Sequence, residues 1–391
     1  MKVLHLTTSL NGGAGIAAVR VHNALNLVGI ESTILSQSNF TGSYKLGLLN
    51  KFKSSTNTFV QSRFIQKSRD LVTPLSVNTL DVKSKFLDLA DVIHVHSYYN
   101  LLSKATLKDL VSASKPVFFT LHDQRLFTGG CHYSRTCSNF LKDCTQCPQV
   151  TSPFHFLVKS SFVDQESIFS NSTKVQLISP SIWLKDIAKQ SKILSRIPIR
   201  VLKNPIPGVF FNYPINIRTD SDSIKIAFVA ARLDNPYKGL ITFVQAINKV
   251  GVVKKSKITV ILIGEGSDVS FDPSVKVERS VVNSDLEMAE ILSSVDLLVV
   301  PSSQDNSPNV IGEALSMGVT VLGSKVGGIP EVLDEFGMPI FEVGAHDQLA
   351  NQILDLSSIR EKKGVREQAK KHFSEDAISK DLFAIYSKAL T

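Results

Sequence analysis

Two cations, Arg232 and Lys238, stand either side of five residues in a turn carrying Pro236 and ending at Gly239. Directly after a strand, such a pair can converge on one diphosphate, arginine as a planar fork and lysine as a point charge. Seventy residues on, Asp305-Asn306-Ser307-Pro308-Asn309-Val310 leads into a helix carrying Glu313. Asp305 in the loop and Glu313 one turn into the helix could hold ligand hydroxyls while phosphates rest at the helix N-terminus. Near the start, Gly12-Gly13 opens a helix at 14–28 after an apolar run. Glycines there admit positive φ and close backbone approach to an anion. The spacing is not that of a dinucleotide fingerprint, since Ala18 stands where its last glycine would fall, which counts against a dinucleotide oxidoreductase. His122-Asp123 follows another apolar run; His94 and His96 end the one before it, and His96 is as readily a structural histidine as a cleft residue.

These residues need a scaffold. Short apolar runs at 3–6, 33–35, 92–95, 117–121 and 175–178 alternate with helix-length amphipathic stretches. A second series runs at 224–229, 258–263, 297–300, 319–322 and 338–341. Continuous Val/Ile/Leu runs are what a sheet buried on both faces shows, and their alternation with helices argues for parallel βαβ units. The expected architecture is α/β, with two Rossmann-like doubly wound domains. The boundary falls near Asn204-Pro205-Ile206-Pro207-Gly208, giving domains of 1–205 and 206–373. A chain of 391 residues fits two cores better than one.

Charge divides along the same line. Residues 1–205 hold 24 Lys and Arg against 11 Asp and Glu, while 206–391 hold 19 against 24. The first domain should therefore meet an anionic partner. No helix-turn-helix, finger or RNA-binding pattern points to nucleic acid. Between 41 and 69 six Lys or Arg (Lys45, Lys51, Lys53, Arg63, Lys67, Arg69) interleave with Phe52, Phe59 and Phe64, without an acid. Such a stretch suits peripheral docking on an anionic membrane surface. No apolar run is long enough to span a bilayer, and no signal segment precedes 3–6, so the expected location is cytoplasmic.

All four cysteines fall in 131–147, inside an insertion placed at 128–150: Cys131, Cys137, Cys144 and Cys147. Four thiolates could hold a structural zinc, although only Cys144 and Cys147 have common zinc spacing; labile disulfides or reduced packing thiols are the alternatives.

Taken together, the glycine loop, the Arg-x5-Lys-Gly element, the acidic pair Asp305 and Glu313, Gly318–Val321 and Gly327-Gly328 resemble the retaining glycosyltransferases of family 4, which have the GT-B fold. Within that family the likeness extends to capsule and exopolysaccharide enzymes, through the Gly-Gly-Cys-His-Tyr segment at 129–133 and the Cys-Pro at 147–148. The resemblance implies that the two domains face a central cleft and that the C-terminal helix, 374–391, crosses back to the first domain. It implies a nucleotide-diphosphate sugar donor, UDP- or GDP-linked, and a glycan or lipid-linked glycan acceptor. Arg232 and Lys238 would bind the diphosphate, Glu313 the ribose hydroxyls and Asp305 the transferred sugar, with His122 facing that sugar. Gly12, Gly13, Asn306, Ser307, Asn309 and Val310 complete the expected donor site. Asp305 stands where the family has Glu, one methylene shorter. No acidic metal-binding triplet is seen, so no catalytic metal is expected. A nucleotide-sugar epimerase and a non-catalytic sugar-nucleotide-binding protein are the alternatives.

Overall fold

The computed structural model describes residues 1–37, 72–73, 87–99, 101–170, 172–214, 224–254, 258–266, 269–355 and 364–391. It divides into two compact units, Met1–Lys203 with Ile378–Thr391, and Asn204–Ala377. The basic 41–69 stretch lies outside the described residues.

The first unit holds a six-stranded, all-parallel sheet: β1 (Lys2–Thr7), β2 (Glu31–Ser36), β3 (Val92–Val95), β4 (Val117–Thr120), β5 (Val175–Ser179) and β6 (Ile199–Val201). The strands lie in the order β2-β1-β3-β4-β5-β6. Alternate residues of one strand serve two cores. Leu4, Leu6, Ile93, Val95 and Phe119 pack into one apolar cluster. Val3, Val92 and Phe118 face another, completed by Val21 and Leu25 of the helix Gly12–Leu27 and by Ile378, Leu382 and Tyr386 of the C-terminal segment. Burial on both faces explains why these strands read as largely apolar runs, interrupted in β1 and β3 by the buried His5 and His94.

The second unit repeats the plan with β7 (Ile224–Arg232), β8 (Ile258–Glu265), β9 (Lys276–Ser280), β10 (Leu297–Val300), β11 (Thr320–Ser324) and β12 (Ile340–Phe341). Their order is β12-β11-β10-β7-β8-β9, again all parallel. Ala227, Ile261, Leu298 and Val321 serve one face; Ile226, Phe228, Val260, Leu297 and Leu322 serve the other. Ten of the twelve strands coincide with the apolar runs of the sequence. β6 and β9 do not, being edge strands with exposed or half-buried residues throughout. No helix among the described residues is long and apolar enough to cross a membrane.

Each sheet has one place where successive connections run in opposite directions: between β1 and β3 in the first unit, and between β7 and β10 in the second. In open α/β sheets that switch point, at the carboxyl ends of the strands, leaves the crevice where ligands bind.

Candidate functional site

In the second unit the residues marked by the sequence collect at the switch point. Arg232 is the last residue of β7, and Lys238 ends the short 3-10 helix Pro236–Lys238 in the turn that follows. Asn235 caps that turn, its side-chain oxygen accepting from the Tyr237 N–H at 3.0 Å. The loop after the neighbouring β10 brings Asp305 to Lys238, with Nζ 2.7 Å from Oδ2. Ser302 Oγ donates to the same carboxylate oxygen at 3.2 Å, and the Asn306 N–H to Oδ1 at 3.1 Å. Asp305 is buried and Lys238 half-buried, so this pair is shielded from the screening that weakens surface ion pairs.

Gly327, in the turn after β11, touches the Asp305 backbone. A Cβ there would lie 1.6 Å from the Asp305 carbonyl oxygen, and its φ is +61°. Only glycine fits both conditions. Ser324 ties the same turn to the β10 loop, its hydroxyl donating to the Ser302 carbonyl oxygen at 2.5 Å. The segments after three strands thus meet at Asp305, those after β7 and β10 at its carboxylate and that after β11 at its backbone.

Arg232 is held differently. Its guanidinium grips Asp234 in a fork, with Nε to Oδ1 at 3.0 Å and Nη2 to Oδ2 at 2.9 Å, and it remains exposed. Asp234 received no role in the sequence reading. The helix Asn309–Ser316 carries Glu313, which is buried. Asn309 at its start accepts from Asn204 Nδ2 at 2.9 Å; Ser307, Asn309 and Val310 are half-buried, while Asn306 is buried.

In the first unit Gly12 and Gly13 are the exposed first residues of the helix Gly12–Leu27 that follows β1, with Gly12 at φ +74°. His122 follows β4 and lines a pocket together with His96, Tyr98, Tyr99, Asp123 and Arg125. Asp123 is gripped by Arg125, whose Nε lies 2.8 Å and Nη2 2.7 Å from Oδ2. Burial alone would favour the neutral acid, but Arg125 prevails and holds the carboxyl below its usual range. The Tyr99 hydroxyl donates to the Arg125 carbonyl oxygen at 2.7 Å, and the guanidinium lies 4.6 Å from the centre of the Tyr99 ring. Burial pushes His122 down to about 4, Asp123 opposing the shift and Arg125 assisting it, so its imidazole is neutral at pH 7.

None of the four cysteines is in a disulfide, and Cys131, Cys144 and Cys147 are buried. Gly129 N–H donates to Cys144 Sγ at 3.2 Å, and burial pushes the Cys144 thiol up to about 12. Among the described residues, non-glycine residues with left-handed φ occur only in this segment, at Arg135, Cys144 and Gln146. The one group of three or more metal-capable side chains with ligand atoms all within 4.8 Å, among the described residues, is His5, His94 and His96; the cysteines do not form another. A zinc ion bound by all four thiolates would require them to draw together. The histidine cluster was half visible in the sequence, through His94 and His96. His5 was not, because it joins them only through the pairing of β1 with β3.

Two parallel six-stranded sheets flanked by helices, with sites at their switch points, have the GT-B fold of solved glycosyltransferases. Sucrose-phosphate synthase from Thermosynechococcus elongatus superposes with a TM-score of 0.65 at 16% identity, covering 99% of this chain and 98% of that one. The HepE protein of Anabaena, solved with UDP-glucose, superposes with a TM-score of 0.58 at 14% identity, covering 99% and 100%. Residues 224–358 match the family described as Glycosyl transferases group 1. The second unit therefore carries a glycosyltransferase group 1 domain. The putative colanic acid biosynthesis glycosyl transferase WcaC of Escherichia coli (strain K12) is 27% identical over 260 residues, which span 62% of this chain and 61% of WcaC.

Proposed function

We propose that this protein is a retaining glycosyltransferase that moves a sugar from a nucleoside-diphosphate sugar to a glycan acceptor of surface polysaccharide synthesis. The observation that carries the reading is the meeting of Lys238 and Asp305 at the switch point, inside the group 1 domain. Lys238 can contact a donor phosphate and the Asp305 carboxylate together, so that charge developing on the departing diphosphate meets a cation already in place. Arg232, at the neighbouring strand end, supplies the second cation. Asp305 is the acceptor for hydroxyls of the transferred sugar, and Glu313 for those of the ribose. The diphosphate leaves on the face from which the acceptor hydroxyl attacks and takes its proton, so the protein's work is positioning and charge stabilisation.

HepE was solved with UDP-glucose, which supports a UDP-sugar as the first donor to test, with GDP- and ADP-sugars beside it. The WcaC likeness supports a polysaccharide acceptor, and we take it to be lipid-linked because the basic 41–69 stretch suits an anionic membrane surface. A thermal-shift screen of nucleotide sugars, followed by NMR of the product anomer, tests the proposal. Stabilisation by one base class and a product with the donor's configuration are expected. No stabilisation by any nucleotide sugar, or an inverted anomer, would overturn it.

A further inference from the structure

Four histidines gather on one face of the first sheet. His5 of β1 stands in register with His94 of β3, and His96 follows two residues later. His122 comes after the next strand, β4. His94 is satisfied by itself: its Nδ1 lies 2.6 Å from the Tyr386 hydroxyl and its Nε2 2.7 Å from Thr120 Oγ1. The other three form a line. His5 Nδ1 is 3.0 Å from His96 Nε2, and His96 Nδ1 is 3.3 Å from His122 Nε2. The rings of His96 and His122 are stacked, 5.6 Å between centres and 28° between planes. His5 and His96 are buried, whereas His122 is partly open to the pocket it lines.

We propose that His5 and His96 are positioning residues, forming with His122 a three-imidazole hydrogen-bond chain that fixes His122 as the tautomer protonated at Nδ1. Each nitrogen-to-nitrogen bond holds one proton, and each neutral ring brings one. Two arrangements satisfy the line. In the first, His5 Nδ1–H donates to His96, and His96 Nδ1–H donates to His122. In the second, every bond is reversed. They differ at the two ends, His122 Nδ1 and His5 Nε2, and the latter is buried without a hydrogen-bond partner. The first arrangement leaves a bare lone pair there, while the second leaves an N–H. Among buried backbone groups an N–H without an acceptor is rarer than an under-satisfied acceptor, and the same preference applied to His5 Nε2 runs the chain outward, from His5 to His122. Burial keeps the rings to one proton each, pushing His5 down to about 3 and lowering His96 as well.

The consequence is chemical. With Nε2 occupied by the His96 proton, His122 cannot take a proton there, and at Nδ1 it is a donor. It suits a hydroxyl or oxyanion of a bound sugar rather than the role of general base. This deepens the proposed function, since a reaction in which the departing diphosphate accepts the proton needs no protein base.

The test is long-range proton–nitrogen NMR of the full chain labelled with ring nitrogen-15 histidine, His122 being assigned through His122→Asn. In the wild type His122 should show a protonated Nδ1 and a bare Nε2. In His96→Leu it should revert to the Nε2-protonated form that free histidine prefers. In His96→Asn, whose amide can still donate from the place of Nδ1, it should keep the wild-type tautomer. An Nε2-protonated His122 in the wild type overturns the proposal even if a variant fails to fold, and so does an unchanged tautomer in His96→Leu. About one equivalent of bound zinc or nickel, lost in His94→Ala, would also overturn it by making the cluster a metal site. None of these readouts uses donor or acceptor, so the chain can fail while glycosyl transfer stands, and the reverse.

Discussion

Gly327→Ala should damage the donor site through the backbone of a residue it does not replace. Two costs combine. At φ +61° an alanine carries the left-handed penalty of roughly 1–2 kcal/mol. Its Cβ would also begin 1.6 Å from the Asp305 carbonyl oxygen, so the two turns must part by on the order of 1.5 Å to regain ordinary contact. Forced overpacking of this kind costs typically about 1–3 kcal/mol. The sum is a destabilisation of about 2–5 kcal/mol. Gly12 supplies the control: its φ is +74°, but a Cβ there meets nothing within 4 Å, so Gly12→Ala should cost only the first part. Denaturant unfolding of both variants separates the two contributions. Because the shift falls on Asp305, Gly327→Ala should also lower turnover with the donor found by screening by about a hundredfold, the usual result of a 1 Å misplacement. Equal destabilisation by the two alanines, or wild-type turnover in Gly327→Ala, would refute the reasoning.

Arg232→Ala and Lys238→Ala should each weaken nucleoside-diphosphate binding by about 1.5–3 kcal/mol, read by calorimetry; unchanged affinity in both would remove them from the site. Acid should destabilise the first unit from pH 6.5 downward. The unfolded chain protonates His5 and His122 near 6.5, the folded one only near 3 and 4, so the stability they contribute is full above 6.5 and lost as pH falls. Unfolding followed from pH 7 to 4 should show it, and a flat profile would contradict the burial of these rings. From the separated sulfurs, four thiols per chain should titrate under denaturing conditions, with less than about a tenth of an equivalent of zinc by elemental analysis; a full equivalent retained in His94→Ala would mean that the thiols do converge as four-thiolate sites require.

What the sequence disclosed, and what it withheld, follows from the range of the interactions. The central strands announce themselves because burial on both faces leaves few polar positions within them, His5 and His94 among those few. β9, Lys276–Ser280, has no such run because it is an edge strand with charged residues, and β6 spans three residues of which two are exposed. The residues proposed for the donor side stand in the sequence as local patterns, Arg232 with Lys238 and Asp305 with Glu313. The bond from Lys238 to Asp305 crosses 67 positions and depends on β7 and β10 being neighbours. Asp234 as the partner of Arg232 was close enough to see, a carboxylate two residues away, yet a short loop acid has many ordinary uses. His5 is a lone histidine in an apolar strand until register sets it beside His94.

The last fourteen residues pack into the unit made by the first two hundred, while all of the second unit lies between them in the chain. A ribosome adding about 5–20 residues each second needs roughly ten seconds or more to pass from one to the other. Throughout that interval the faces of Val3, Val92 and Phe118 lack the cover of Leu382 and Tyr386, and His94 lacks its bond to the Tyr386 hydroxyl. The earlier-made segment of this unit therefore waits for the later-made one. A premature stop after Ala377 would leave the second unit complete and leave the faces of Val3, Val92 and Phe118 uncovered and open to aggregation. A solubility reporter fused after Thr391 would read out the folding of a unit built mainly from residues 1–203.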